Sequence, residues 1–482
     1  GAFRAAGVGP GNGAEYFQEV PLVAVTATDV TPMSFSDEGP AFTYRQESMA
    51  WTKRLVEHAS LRDSPLVFVG YGIVAPEHGW DDYAGLDVAG KTVVMLVNDP
   101  GFATQDPDLF NGNAMTYYGR WTYKFDEAAR QGAAGALIIH ETGAAGYPWD
   151  VVTGSWAGPQ FDLAGPDQNM SRVVMEGWLR QDAAQALLAR AGLSLAQLSQ
   201  AAARPGFVPV PLDLSVSVAV QNALETSNSR NVIGRLEGAK YPQETVLYMA
   251  HWDHLGLDRA LEGDQIFNGA VDNATGVAGL LELARVFGAG PRPDRSVVFL
   301  AVTAEESGLL GSQYYAENPV YPLKTTVAGF NMDGMNVHGP TRDVVVIGYG
   351  SSELESYLAT AAARQGRVTV PEPTPEKGFF YRSDHFNLSK WGVPVLYAKS
   401  GIDHLEQGMD YGRRKAWEYT ALRYHKVADE YDAGWDLSGA LLDLDLVYLI
   451  GVELANSRDF PNWLEGNEFR AIRDQSEGAR RP

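Results

Sequence analysis

Acidic and imidazole side chains gather at a few places in the chain. His251-Trp252-Asp253-His254 follows an apolar run at 245–250, and Asp272-Asn273 sits a short way on, before a helical pattern. Thr303-Ala304-Glu305-Glu306 follows a second apolar run at 296–302, and Asp333 closes a third at 327–332. Carboxylates brought together in one buried place repel one another, and loss of water raises their pKa values. Divalent cations remove that conflict. With no cysteine in the chain, only imidazole and carboxylate donors remain, a set that suits zinc, with manganese or cobalt as alternatives. The adjacent pair Glu305-Glu306 suggests a division of labour. One carboxylate binds metal while its neighbour acts as general base toward a water of lowered pKa.

Each residue also has an ordinary reading. A histidine after a strand is commonly a packed or hydrogen-bonded side chain, a Glu-Glu pair a solvated face, and Asp272-Asn273 a turn or helix cap. Their joint occurrence, each after a strand or before a helix, favours metal-dependent hydrolysis. His254, His385 and His404 are read as neighbours of the site or as packing residues, and Trp252 as a pocket wall. Asn273-Ala-Thr275 spells a glycan acceptor, but a glycan there would block metal binding at Asp272, so that reading is set aside.

The elements that must position these residues follow from periodicity. From about 222 to 455, buried-strand runs alternate with helical patterns, which indicates a layered α/β fold. The runs at 245–250 and 296–302 are apolar on both sides, as central strands are. Between them, Val277, Leu280, Leu281, Leu283, Ala284 and Phe287 mark one helical face. Further strands are predicted at 344–347 and 393–397. In open α/β sheets the carboxyl ends of strands border the ligand crevice, which is where the polar clusters fall. The stretch from 65 to 205 differs in texture: it is rich in Gly, Pro, Trp and Tyr, has short β-type runs, and carries no dense His/Asp/Glu cluster. A helical segment at 181–203 closes it, broken by Arg204-Pro205-Gly206. The segment from 461 to 482 reads as a polar extension packed through Trp463 and Phe469.

Composition narrows the function classes. The chain has 482 residues with 38 Lys+Arg against 60 Asp+Glu, a formal charge of −22. This excess argues against nucleic-acid binding and against docking on anionic lipid. Hydrophobic content of 45% is ordinary for a globular protein, and no uninterrupted apolar stretch is long enough for a membrane span. The chain opens on Gly1 without an initiator Met, and its first residues read as the tail of a helix, so either a removed leader or a trimmed chain is expected.

The series His251-x-Asp253, Val271-Asp272-Asn273-Ala-x-Gly276, Ala304-Glu305-Glu306-x-Gly-Leu-Leu-Gly-Ser312, Asn331-Met-Asp333 and Tyr424-His425 resembles the di-zinc exopeptidase family, which includes aminopeptidases and glutamate carboxypeptidase. Asn231-Val-Ile-Gly234 and Arg382-Ser383-Asp384-His385 match its flanking landmarks. The resemblance implies a three-layer α/β/α domain with a mixed central sheet. It implies that His251 and Asp333 bind one zinc, Glu306 and His425 a second, and Asp272 both. It further implies Glu305 as general base, Asp253 as the acid orienting His251, Tyr424 as polariser of the scissile carbonyl and Arg382 as a substrate contact.

The stretch 63–205 resembles an inserted β-rich protease-associated domain through Phe68-Val69-Gly70-Tyr71-Gly72-Ile73, Val88-Ala-Gly-Lys91 and Gly132-Ala-Ala-Gly135-Ala-Leu-Ile-Ile139. Segments 1–62 and 206–482 then make up the catalytic domain. The resemblance implies an insert that restricts substrate size, a periplasmic or extracellular location, and peptide substrates. The leading expectation is an aminopeptidase. A carboxypeptidase or dipeptidase is the alternative, and a receptor-like protein without catalysis the remote one. Side-chain preference and oligomeric state are left open.

Overall fold

A computed structural model of the chain describes residues 1–156 and 158–480. It divides into two compact units, the first of 1–20, 228–373 and 382–482, the second of 21–227 and 374–381. The last two residues of the extension expected from 461 onward lie outside the described residues. Trp463 and Phe469 are buried, as that expectation requires.

The first unit is built on a mixed sheet. Its strands are β1 (Val210–Leu236, of which 228 onward belongs here), β2 (Tyr241–His251), β3 (Arg295–Val302), β4 (Thr326–Asn331), β5 (Asp343–Val346), β6 (Val368–Pro371) and β7 (Val395–Ser400). Across the sheet they run β6-β5-β7-β4-β2-β3-β1. The central strands β7, β4, β2 and β3 are parallel, whereas β1 joins β3, and β5 joins β7, in antiparallel register. Parallel alignment places the carboxyl ends of β2, β3 and β4 along one edge, and these ends carry the polar clusters.

Alternation of side chains along β2 assigns the two faces. Val246, Tyr248 and Ala250 pack with Leu280, Leu283 and Phe287 of helix α1 (Thr275–Ala289) and with Leu446, Val447 and Ile450 of the helix Ser438–Asn456. Leu247 and Met249 face the other way, toward Tyr315 and Ala316 of α2 (Leu310–Glu317) and Leu388. Helices therefore cover both faces, the three-layer arrangement expected. Tyr248 donates its hydroxyl to the Val447 carbonyl at 2.9 Å, and a Cβ on Gly451 would lie 1.7 Å from that hydroxyl oxygen. Glycine is needed there for the helix to approach the sheet. Among the described residues no helix is long and apolar enough to cross a membrane.

In the second unit, strands pair in mixed register in the order 210–221, His58–Phe68, Thr92–Leu96, Gly135–His140, Met175–Arg180 and Ser48–Trp51. Helices including Trp121–Arg130 and Gln181–Arg190 accompany them. The boundaries differ from those read in the sequence. Residues 21–62 and 206–227, assigned there to the catalytic domain, belong to the second unit, and so does 374–381. The reason is strand pairing. His58–Phe68 pairs with 210–221, Ser48–Trp51 pairs with Met175–Arg180, and 22–25 pair with Gln160–Leu163. Such partners lie more than a hundred residues apart and leave no local sign in the sequence.

Candidate metal centre

All nine residues singled out as site residues lie in the first unit. His251 is the last residue of β2 and is buried, with Nδ1 3.1 Å from the Asp253 carbonyl and 3.7 Å from the Asp253 carboxylate. The nearer partner is thus the backbone oxygen. The Asp253 carboxylate instead accepts the backbone N–H groups of Glu305 (3.0 Å) and Glu306 (3.2 Å), and so ties the end of β2 to the loop after β3.

Asp272 stands where the chain enters α1, and its two oxygens face different partners. Oδ1 lies 3.1 Å from His251 Nε2, and Oδ2 lies 3.3 Å from His425 Nε2. His251 Nε2 is also 3.5 Å from Asp333 Oδ1, and His425 Nε2 is 3.2 Å from Glu306 Oε2. Two imidazole–carboxylate sets therefore meet at one carboxylate. Tetrahedral zinc with ligands at roughly 2.0–2.1 Å separates neighbouring donors by roughly 3.3 Å, so the donors are spaced as such ligands would be. His251 Nε2 is buried and, among the described residues, makes no hydrogen bond of good geometry despite these close carboxylates. A donor set of imidazole nitrogen and carboxylate oxygen around such an atom fits a divalent metal.

The supports of these donors are local and specific. Asn273 donates to the Met332 carbonyl at 2.9 Å and accepts from Gly276 N–H (3.0 Å) and Gly334 N–H (3.1 Å), which locks the Asp272 turn to the residues flanking Asp333. A Cβ on Gly276 would lie 2.2 Å from Asn273 Oδ1, so glycine is required for that lock. Asn273 is buried and occupied in this way, which agrees with setting the glycan aside. Ser383 donates to Asp333 Oδ2 at 2.6 Å and accepts from Asn331 Nδ2 at 2.8 Å, and Tyr397 donates to the Asp333 carbonyl at 3.2 Å.

Other residues weighed in the sequence also find places. His254 Nδ1 lies 2.6 Å from Glu306 Oε1, so an imidazole faces each oxygen of Glu306. Together with Asp272 and Glu306 it forms a group able to hold metal, as His251, Asp272 and Asp333 do. Tyr424 is 40% exposed and stacks on His425 at 3.9 Å between ring centroids. Arg382 is exposed, and its charge acts on Tyr424. His385 and His404 are buried, and His404 Nδ1 accepts the N–H groups of Glu406 and Gln407, a packing role. Trp252 is half-exposed and donates to the Arg230 carbonyl at 2.9 Å. Asp429 was not singled out in the sequence. It is buried beneath the Asp272 turn, and its position four residues after His425 is the one signal that pointed to it.

Electrostatics follow from this crowding. Burial opposes charge on His251, but Asp272 and Asp333 outweigh it and hold its pKa well above the ordinary value. Burial likewise opposes charge on His425, which Asp272 and Glu306 nonetheless raise to about 9. Burial would raise the carboxylates of Asp272, Asp333 and Glu306, but the imidazoles paired with them pull all three below their usual range. Glu305 moves the other way. Burial raises it, His251 opposes, and the charges of Asp333, Asp384 and Glu306 raise it further. Burial also lifts Asp384 to about 7. Without metal, protons on the imidazoles balance the carboxylates, so metal binding must displace protons and tighten as pH rises.

A pH dependence follows for the metal-free protein. Because His425 has a folded pKa of about 9, above its unfolded 6.5, its pairing stabilises fully below pH 6.5 and is lost as pH rises through 9. Its carboxylate partners, held low, keep their contribution down to about pH 4. The melting temperature of metal-free wild type is expected to exceed that of His425→Gln most between those limits, with the gap closing toward pH 9. A gap that widens with pH would contradict this pairing.

A mixed sheet covered by helices on both faces, with two imidazole–carboxylate sets sharing one aspartate at its carboxyl edge, makes the first unit a three-layer α/β domain with a candidate metal centre. Residues 231–448 match the model of peptidase family M28. Over 138 residues the chain is 39% identical to aminopeptidase NAALADL1 of Rattus norvegicus, a match covering 27% of this chain and 17% of that protein. Over 87 residues it is 40% identical to a probable zinc metalloprotease of Pyricularia oryzae, covering 18% of this chain and 17% of that one. The chain thus spans about a sixth of the length of these curated relatives. Among solved structures it is similar to an aminopeptidase from Aneurinibacillus sp. strain AM-1, with 21% identity, a TM-score of 0.49, and coverage of 95% of this chain and 87% of that one.

Proposed function

We propose that the protein is a zinc-dependent aminopeptidase that removes N-terminal residues from peptides, with two zinc ions at the centre described above. The observation that carries this reading is Asp272, whose two oxygens face His251 and His425 separately. His251 and Asp333 would hold one ion and Glu306 and His425 the other, with Asp272, which faces both imidazoles, available to each. When bound, the ions supply Lewis-acid polarisation and lower the pKa of water. Glu305 takes a proton from the attacking water and delivers it to the leaving amine. Burial and the charges of Asp333, Asp384 and Glu306 raise its pKa, which strengthens it as a proton acceptor. Asp253 holds the Glu305–Glu306 backbone in place through the two N–H groups it accepts. Tyr424, beside His425, donates toward the carbonyl oxygen as charge develops there.

Recognition of a free amino end is supported by the charge around the centre. Asp253, Asp272, Glu305, Glu306, Asp333 and Asp384 act on one another electrostatically there, while Arg382 is a cationic side chain acting on Tyr424. This excess of carboxylate suits an ammonium group better than a terminal carboxylate. The second unit is part of the same proposal, as a protease-associated domain, supported by the landmarks at 68–73, 88–91 and 132–139; an exported location rests on that assignment.

The test is hydrolysis, by zinc-loaded protein, of a peptide panel with free or acetylated amino ends and free or amidated carboxyl ends. Cleavage is expected only where the amino end is free. Dependence on the free carboxyl end would instead mark a carboxypeptidase, and an inert panel would sink peptidase action.

A further inference from the structure

His425 is carried on a stretch of chain that is tied at its two ends, by Leu405 to Pro340 and by Asp436 to Val337 and Gly339, and is only partly buried between them. From 405 to 438, Asp429 is the only buried residue, and the helix Gly408–Leu422 within this stretch buries none of its side chains. Stability of a surface segment comes mainly from buried apolar contact. Here no apolar side chain is fully buried, and a buried acid stands among partly buried residues.

Asp429 is 0% exposed, and three consecutive backbone amides converge on it. Val271 N–H lies 3.1 Å from Oδ1 and 3.2 Å from Oδ2, and Asp272 N–H donates to Oδ2 at 3.1 Å. Ala270 N–H donates to the Asp429 carbonyl at 3.0 Å. Successive amides of this kind form a concave anion-binding nest, and bonds to an ionised acceptor are among the stronger ones in proteins. Two turns then fix Asp429 relative to His425: Lys426 N–H donates to the Arg423 carbonyl at 2.9 Å, and Asp429 N–H to the Lys426 carbonyl at 3.0 Å. Beside this link, Asn268 Nδ2 donates to Glu430 at 3.2 Å.

We infer that Asp429 is a positioning residue, the anchor that seats the 405–438 segment on the Asp272 turn and so brings Tyr424 and His425 to the metal centre. The link joins the backbone that bears Asp272 to the turns that bear His425, two donors of one ion, and it does so without metal. The inference rests on the metal-centre reading for its effect on zinc, while its effect on the segment stands on the hydrogen bonds alone.

The experiment compares wild type, Asp429→Ala and Asp429→Asn by stepwise zinc titration against a competing chelator and by hydrogen exchange of the metal-free proteins. Alanine is expected to weaken, by about 10–100-fold, the zinc equivalent that His425→Ala also weakens, in line with the loss of a residue that supports a ligand. Exchange should speed across 405–438 and at Ala270–Asp272, with the rest of the first unit as in wild type. Asparagine restores one acceptor oxygen and should recover part of both effects. If alanine does not fold, Asp429→Ser, whose hydroxyl is too short to reach the amides, replaces it. Wild-type exchange and wild-type zinc binding in the variant lacking the carboxylate would overturn the anchor. Wild-type protein that takes up no zinc would overturn the metal reading, and the exchange comparison would still judge the anchor.

Discussion

Glu305→Gln is expected to lower kcat by about 10²–10⁴-fold, the usual contribution of a positioned general base, while leaving zinc content at the wild-type level. Glutamine keeps the shape of the side chain but cannot accept the proton of the attacking water. Glu305 is not among the five donors that surround the two metal positions, so binding of the ions has no reason to change. Its backbone N–H, the group held by Asp253, is also retained. Folding should tolerate the change well, because burial and the charges of Asp333, Asp384 and Glu306 already disfavour an ionised side chain at this place. The check is turnover of the preferred panel peptide, with metal analysis and thermal unfolding on the same preparation. A variant that keeps more than about a tenth of wild-type turnover would remove Glu305 from the proton transfer.

Asp272→Ala should have the broader effect, because one substitution opens both imidazole–carboxylate sets. His251 would retain Asp333 and His425 would retain Glu306, two donors in each set where three now meet. Zinc stoichiometry measured by elemental analysis is expected to fall from two toward zero, and activity by at least about 10³-fold, since bound metal supplies several kcal/mol of transition-state stabilisation. His425→Ala, by contrast, should cost chiefly one equivalent. If Asp272→Ala also loses a single equivalent, Asp272 serves one ion only, and the shared-carboxylate reading falls.

These expectations rest on residues of unequal visibility in the sequence. Strands over 245–250 and 296–302 and the helix after Gly276 were legible because apolar periodicity reports local structure directly. His251, Asp272, Glu305, Glu306 and Asp333 stood out because each lies at the end of such an element. Asp253 was legible as a residue but not in its action. Its carboxylate receives two amides from a loop some fifty residues on, and only its carbonyl reaches His251 closely. His254 looked like a neighbour of the site, yet it holds the oxygen of Glu306 that His425 leaves free. Asp429 gave almost no signal, since a lone aspartate in a polar stretch looks like solvent-exposed charge. The extent of the second compact unit was hidden for a related reason: 21–62 joins it by pairing with strands far along the chain.

What the sequence by itself determined is the kind of chemistry available. The lack of cysteine, the order of His, Asp and Glu donors and their places at strand ends leave imidazole–carboxylate metal binding as the consistent reading. The tertiary structure decided which atoms meet. The parallel register of β2, β3 and β4 sets three strand ends side by side, and Asp429 and Asn273 hold the Asp272 turn so that its oxygens face opposite imidazoles. That outcome depends on hydrogen bonds such as that from Asp272 N–H to Asp429, 157 residues apart, and geometry at the scale of an ångström is set by such packing rather than by any local run of residues.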